Sequence, residues 1–241
     1  MAQPELIQFQ NAEELARVAA SAWLDEVACA SQTGRAYCVA LSGGRIAGML
    51  FAEFCGQAKA QSASLHQVHF FWADERCVPP DDDESNYRVA RQLMFDPLGI
   101  AEDHIHRIRG ELESDSAARE AEAELRRIVP PACDGQPVLH LVLLGMGEDG
   151  HVASLFPGEL ATVASGPEAY RPVTAPKPPS RRVTLGYGVL AAAREVWVLI
   201  SGFGKEPALR ESLRSEGRTP LATVLRSRSR TRIFSDLRLK P

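Results

Sequence analysis

Long apolar runs are missing from this chain. Nowhere in its 241 residues is there a stretch near the roughly 20 apolar residues that a membrane-spanning helix needs. A cysteine framework is missing too: Cys29, Cys38, Cys55, Cys77 and Cys133 are odd in number and form no C-x-x-C pair. That pattern argues against a disulfide scaffold or a zinc site and for reduced thiols. Charge of one sign is also absent. The 27 Lys and Arg against 31 Asp and Glu leave a formal net charge of −4, which provides no general field to draw nucleic acid or an anionic membrane surface. A small anion would need a local basic pocket. No internal repeat or low-complexity tract occurs, and Met1 to Glu5 lacks the basic segment and apolar stretch of a secretory leader, so a cytoplasmic protein is expected.

What is present is ordinary globular composition, 45% apolar and 24% charged, over a length able to bury one large core. A single domain over 1–241 is expected. Asn11 with Glu14 three residues on resembles a helix start, and Leu15, Val18, Ala19, Ala22, Trp23 and Val27 follow at helical spacing. Tyr37 to Leu41 reads as a strand ending in Ser42-Gly43-Gly44, with a helix-compatible stretch from Ile46 to Ala58. The same grammar repeats: strand Val68 to Ala73, helix Ser85 to Leu98, helix Asp115 to Ile128 and the nearly all-apolar strand Val138 to Leu144. After a Pro-rich connection at Pro176 to Pro179 come the segment Val183 to Leu190, the run Val196 to Ile200, a helix from Glu206 to Ser215 and a last strand from Thr231 to Phe234. Apolar strands alternating with helices predict an α/β fold, a doubly wound, mostly parallel, Rossmann-like sheet with helices on both faces. Arg226, Arg228, Arg230 and Arg232 read as solvated surface rather than a nucleic-acid site.

Open α/β sheets bind ligands beyond the carboxyl ends of their strands, and four segments there carry unusual residues. Ser42-Gly43-Gly44 opens a helix, where backbone N–H groups can approach a phosphate; a tight turn needing positive φ explains the glycines as well. Asp74-Glu75-Arg76 ends a strand and is followed by Ser85-Asn86-Tyr87, a pattern that an ion pair and a Ser N-cap would also produce. Gly145 to Gly158 is harder to explain as structure alone: its glycines compact the loop, and Asp149 and His151 can share a cleft, the carboxylate orienting an imidazole that takes a proton from water. Positive charge comes from Lys177, Arg181, Arg182 and Lys205, each of which would ordinarily be solvated surface.

Together, Leu41-Ser-Gly-Gly44, Asp74-Glu-Arg76 with Ser85-Asn-Tyr87, Gly145 to Gly158, Pro176-Lys-Pro-Pro179 and Ile105-His-Arg-Ile108 resemble the 6-phosphogluconolactonase family over most of the chain. The resemblance implies a fold shared with glucosamine-6-phosphate deaminases, no required cofactor or metal, a sugar-phosphate lactone as the small-molecule partner, and its hydrolysis to 6-phosphogluconate in the pentose phosphate pathway. The chemistry of that reaction suggests His151 as general base with Asp149 orienting it, and Asp74 and Arg76 as further catalytic residues, Asp74 positioning the ring and Arg76 holding oxyanion charge or a sugar hydroxyl. For the phosphate the resemblance implies Ser42, Gly43, Gly44, Arg182, Lys205 and Lys177. One departure stands out: Arg45-Ile46-Ala47 replaces the usual Ser-Thr-Pro, so a hydroxyl is lost and a guanidinium gained, to grip phosphate or to project into solvent.

Two other functions compete. An amino-sugar-phosphate deaminase or isomerase has a similar Asp-Gly-His loop, but resemblance to that sister family would require Asn-Glu-Pro soon after, where this chain has Leu155-Phe156-Pro157. A non-catalytic sugar-phosphate binding protein fits the altered phosphate loop. Metal-dependent hydrolysis would draw on Glu102-Asp103-His104-Ile105-His106, which fits the start of a strand equally well. Oligomeric state is not set by any of these features.

Overall fold

The computed structural model describes residues 4–159 and 166–239. Its centre is a six-stranded sheet in the order β1-β9-β8-β5-β2-β3, built from β1 (Glu5–Gln8), β2 (Tyr37–Leu41), β3 (Val68–Trp72), β5 (Leu141–Gly145), β8 (Glu195–Ile200) and β9 (Thr231–Ser235). Every neighbouring pair is parallel. Burial explains the composition: all five residues of β2 and all six of β8 are buried, as continuous apolar strands covered on both faces should be. The sheet is doubly wound and flanked by helices, as the alternating pattern predicts.

Helix α1 (Ala12–Ser31) begins where expected, with Asn11 Oδ1 accepting the Glu14 N–H at 2.8 Å. It packs on α2 (Arg45–Ala60), and the join is anchored by Trp23 against Phe54, with ring centroids 4.0 Å apart. From β2 the chain winds one way to β3, then crosses back to place β5 on the other side of β2. This reversal creates a crevice at the carboxyl ends of β2 and β5, the position at which open α/β sheets hold their ligands. The β2–β5 ladder is short, Val39 facing Leu141 and Ala40 facing Val142.

Several elements differ from the sequence expectation. A second, three-stranded antiparallel sheet contains β4 (Asp74–Arg76), β7 (Arg181–Leu185) and β6 (Tyr170–Thr174). Neither β4 nor β6 carries a strand signature, because one is three charged residues and the other an edge strand interrupted by Pro172. Val183 to Leu190 divides into the end of β7 and a helix, Tyr187–Ala192, at Gly186. The helix expected over Ser85 to Leu98 runs as Asn86–Ala90, a π-helical turn Arg91–Phe95 and a last turn Asp96–Leu98, closed by Gly99 at φ 63°. A short helix at Pro220–Arg226 was not anticipated.

In the arginine stretch near the end, Arg226 and Arg230 are exposed as expected, and Arg228 is the correction. Arg228 is 9% exposed and donates to the Leu190 and Ala193 carbonyls and to Thr231 Oγ1. It satisfies acceptors left free after the Tyr187–Ala192 helix, so it is an internal support. Arg230 and Arg232 pair with Glu195 and Glu5. No described helix is long and apolar enough to cross a membrane.

Candidate active site

The crevice between β2 and β5 opens into a cleft of about 160 Å3 whose walls include Ser42, Gly43, Gly44, Arg45, Asp74, Arg76, His151, Arg182 and Lys205. Nine of the eleven predicted site residues therefore meet in one place. Asp149 stands behind His151, and Lys177 is the exception: its side chain is exposed outside the lining, and its carbonyl accepts from Arg182 Nη2 at 3.5 Å.

The loop after β5 sets the His151 geometry. Asp149 Oδ1 lies 2.6 Å from His151 Nδ1 and also accepts the His151 backbone N–H at 3.1 Å. An ionised carboxylate only accepts, so Nδ1 carries the proton and Nε2 keeps its lone pair. Partial burial acts to raise the Asp149 pKa, but the His151 N–H and ring outweigh it, and the net shift is downward. Phe156 backs the imidazole at a centroid distance of 4.9 Å. Gly147 is required by contact, because a Cβ there would lie 2.1 Å from the His151 ring.

The Ser-Gly-Gly turn is held by Asn86, which the sequence placed in the Ser85-Asn86-Tyr87 motif without a role of its own. Asn86 donates from Nδ2 to the Asp74 carbonyl at 2.8 Å, and a Cβ on Gly43 would lie 1.8 Å from Asn86 Oδ1. Gly44 adopts φ 96° as it enters α2, with no side-chain cap, so the first N–H groups of the helix face the cleft unclaimed by a side chain. Ser42 Oγ is buried without a partner. Arg45 turns towards the cleft rather than away from it, its Nη2 donating to Ser201 Oγ at 3.2 Å. Lys205 sits nearby, and burial, reinforced by the Arg45 charge, lowers its pKa.

On the opposite wall, Arg76 and Arg182 are direct cross-strand partners in the β4–β7 ladder. Like charges directly opposite repel. Arg76 is tethered by Nη1 to the Glu84 carbonyl and carboxylate, leaving Nε buried and unpartnered. Arg182 donates to the Pro179 carbonyl at 2.9 Å and forms no ion pair with a described carboxylate; burial first, and then Arg76, lowers its pKa. The ion pair suggested by Asp74-Glu75-Arg76 forms instead with Glu84. Glu75 itself is buried and accepts the N–H groups of Arg76, Asn86 and Tyr87 and the Ser85 hydroxyl, holding the start of the next helix against β4. The expected Ser85 N-cap is present, accepting from Arg88 N at 3.3 Å.

The lining thus has four cationic side chains, Arg45, Arg76, Arg182 and Lys205, against the single carboxylate of Asp74. Such a cleft suits an anion, with the His151 imidazole at its side. Away from it, His106 spends both ring nitrogens on Glu124 and His69, and His104 contacts the Val68 carbonyl. Among the described residues, no three His, Cys, Asp or Glu side chains converge on a point that could hold a metal ion.

Residues 10–233 match the family model for glucosamine-6-phosphate isomerases and 6-phosphogluconolactonases. The chain belongs to this family. Similar curated proteins include the 6-phosphogluconolactonases of Homo sapiens, 35% identical over 92% of this chain and 86% of that one, and of Mycobacterium tuberculosis, 36% identical over 76% and 74%. The solved 6-phosphogluconolactonase from Trypanosoma cruzi superposes with a TM-score of 0.81 at 28% identity, covering 98% of this chain and 96% of that one. A monomeric glucosamine-6-phosphate deaminase superposes with a TM-score of 0.79 at 19% identity, which shows the shared fold alone.

Proposed function

We propose that this chain hydrolyses 6-phosphoglucono-1,5-lactone to 6-phosphogluconate, with His151 as general base, as a step of the pentose phosphate pathway. The observation that carries the reading is the Asp149–His151 pair at 2.6 Å, set beside a cleft with four cations. The phosphate is assigned to the Ser42–Gly44 turn with Arg45, Arg182 and Lys205. Asp74 orients the sugar ring, and Arg76 faces the oxyanion that develops on C1.

In this mechanism His151 Nε2 takes a proton from water as its oxygen bonds to C1. The tetrahedral oxyanion is stabilised by guanidinium charge already in place. On collapse the bond from C1 to the ring oxygen breaks, and that oxygen takes the proton back from the imidazolium. The product acid then ionises. Asp149 stabilises the transient imidazolium and keeps Nδ1 protonated throughout.

The deaminase reading is separated from this one by product. Incubation with 6-phosphogluconolactone generated in situ should form 6-phosphogluconate faster than the no-enzyme control, while glucosamine 6-phosphate should release no ammonia. The opposite pair of results would replace the lactonase assignment with the deaminase one. Binding of 6-phosphogluconate without turnover of either substrate would identify a sugar-phosphate binding protein.

A further inference from the structure

Ser154 lies three residues beyond His151 and is fully buried. Its hydroxyl donates to Asp74 Oδ2 at 2.7 Å and accepts from Arg182 Nη1 at 3.5 Å. Its backbone N–H donates to Thr184 Oγ1 at 3.2 Å. Asp74 faces Thr184 and Arg76 faces Arg182 in the β4–β7 ladder, and alternate residues of a strand share a face. Ser154 therefore touches three of the four side chains that β4 and β7 present on that face. The residue before it, Ala153, adopts φ 49°, a left-handed conformation uncommon without a glycine. The loop thus accepts local backbone strain while delivering this hydroxyl to the sheet.

The consequence lies in what Asp74 and Arg182 do not do. Both are buried, at 5% and 8% exposure, yet they form no ion pair with each other, although the Asp74 charge favours the charged form of Arg182 and such opposite charges attract in a partly dry site. A serine hydroxyl has one proton to donate and lone pairs to accept with. Placed between the two, it satisfies one oxygen of the carboxylate and one nitrogen of the guanidinium while keeping them apart. We propose that Ser154 is a positioning residue: a spacer that prevents Asp74 and Arg182 from collapsing onto each other and leaves both free for the sugar phosphate. This proposal deepens the lactonase reading and rests on it for the identity of the ligand.

Removing the hydroxyl in Ser154→Ala should let Arg182 swing onto Asp74, and each would then be less available to substrate. The expected result is a KM for the lactone raised about tenfold, a matching loss of affinity for 6-phosphogluconate by calorimetry, and recovery towards wild type in Ser154→Thr. A crystal structure of Ser154→Ala should show an Asp74–Arg182 ion pair. That readout requires no turnover, so absence of wild-type lactonase activity would overturn the lactonase reading and leave the spacer role open to this structural test. KM and affinity within twofold of wild type, with the two side chains still apart, would overturn the proposal. A merely structural serine would lower the melting temperature without the KM change. Should Ser154→Ala not fold, Ser154→Thr against Ser154→Val makes the same comparison, since the two differ by a hydroxyl for a methyl; equal KM values in that pair would overturn it as well.

Discussion

Lys205 is a half-buried ammonium next to the Arg45 guanidinium, with Glu148 and Asp236 only partly offsetting the two charges, an arrangement that favours a bound anion. Burial and the Arg45 charge both act to lower its pKa, so a bound phosphate would stabilise its charged form. Lys205→Ala should raise the KM for the lactone about tenfold and leave kcat within twofold, because the interaction is made equally in the ground state and the transition state. Initial-rate kinetics check this; a fall in kcat with KM unchanged would move Lys205 from the phosphate to the reacting carbonyl. Arg45 was the residue whose direction the sequence left open, since a side chain at the first turn of a helix can point either way. Its bond to Ser201 turns it to the cleft, and this partner lies 156 residues away, beyond the reach of any local pattern.

At the scale of elements, the joints between turns and helices determine the site. The Ser42–Gly44 turn and the helix starting at Asn86 are locked by the close approach of Asn86 to Gly43. Gly43→Ala would put a methyl 1.8 Å from Asn86 Oδ1 and should displace one element or the other, costing about 1–3 kcal/mol as overpacking usually does and weakening phosphate binding. Urea unfolding and product affinity measure the two effects; a variant with wild-type stability and affinity would show that the joint is slack. Glu75 fixes the same helix from below. Burial pushes its pKa up to about 7 from an ordinary 4.5, against the backbone N–H groups of Asn86, Tyr87 and Arg76 that favour the ionised form. A carboxyl with a raised folded pKa binds its proton more tightly when folded. Its contribution to stability is therefore fully present below about pH 4.5 and is lost as pH rises through 7, by on the order of 3 kcal/mol. His69, His106 and His140, whose pKa values burial lowers, act in the opposite sense over the same range, so the test is the difference: between pH 4.5 and 7, stability by urea unfolding should change less unfavourably in Glu75→Gln than in wild type; identical slopes in both proteins would contradict the assignment.

These joints also mark the limit of what the sequence reveals. The Tyr37–Leu41 strand, its helix and the Asn11 cap were legible because apolar period and cap chemistry are local. β4 was not, since Asp-Glu-Arg has no strand signature and owes its conformation to pairing with β7. Asn86 and Ser154 both lay inside motifs read as functional, yet their roles depend on Gly43 and on Asp74, residues brought near only by the fold. Arg228 looked like surface for the same reason: the carbonyls it serves come from a distant helix end.

For the molecule as a whole, a net charge of −4 coexists with a cleft in which cations outnumber carboxylates by four to one. The field that captures substrate is thus local, placed where the sheet reverses its winding, and the family match over residues 10–233 covers every element that builds it. Binding of an anion follows from that charge alone, whereas the proposed hydrolysis rests on the Asp149–His151 pair. The decisive measurement is the rate of 6-phosphogluconate formation from lactone generated in situ, for wild type, His151→Ala and a no-enzyme control, since the lactone opens unaided. The expected result is acceleration by wild type that drops about 10²–10⁴-fold in His151→Ala while affinity for 6-phosphogluconate is retained. Wild-type and His151→Ala rates that match each other would contradict the account.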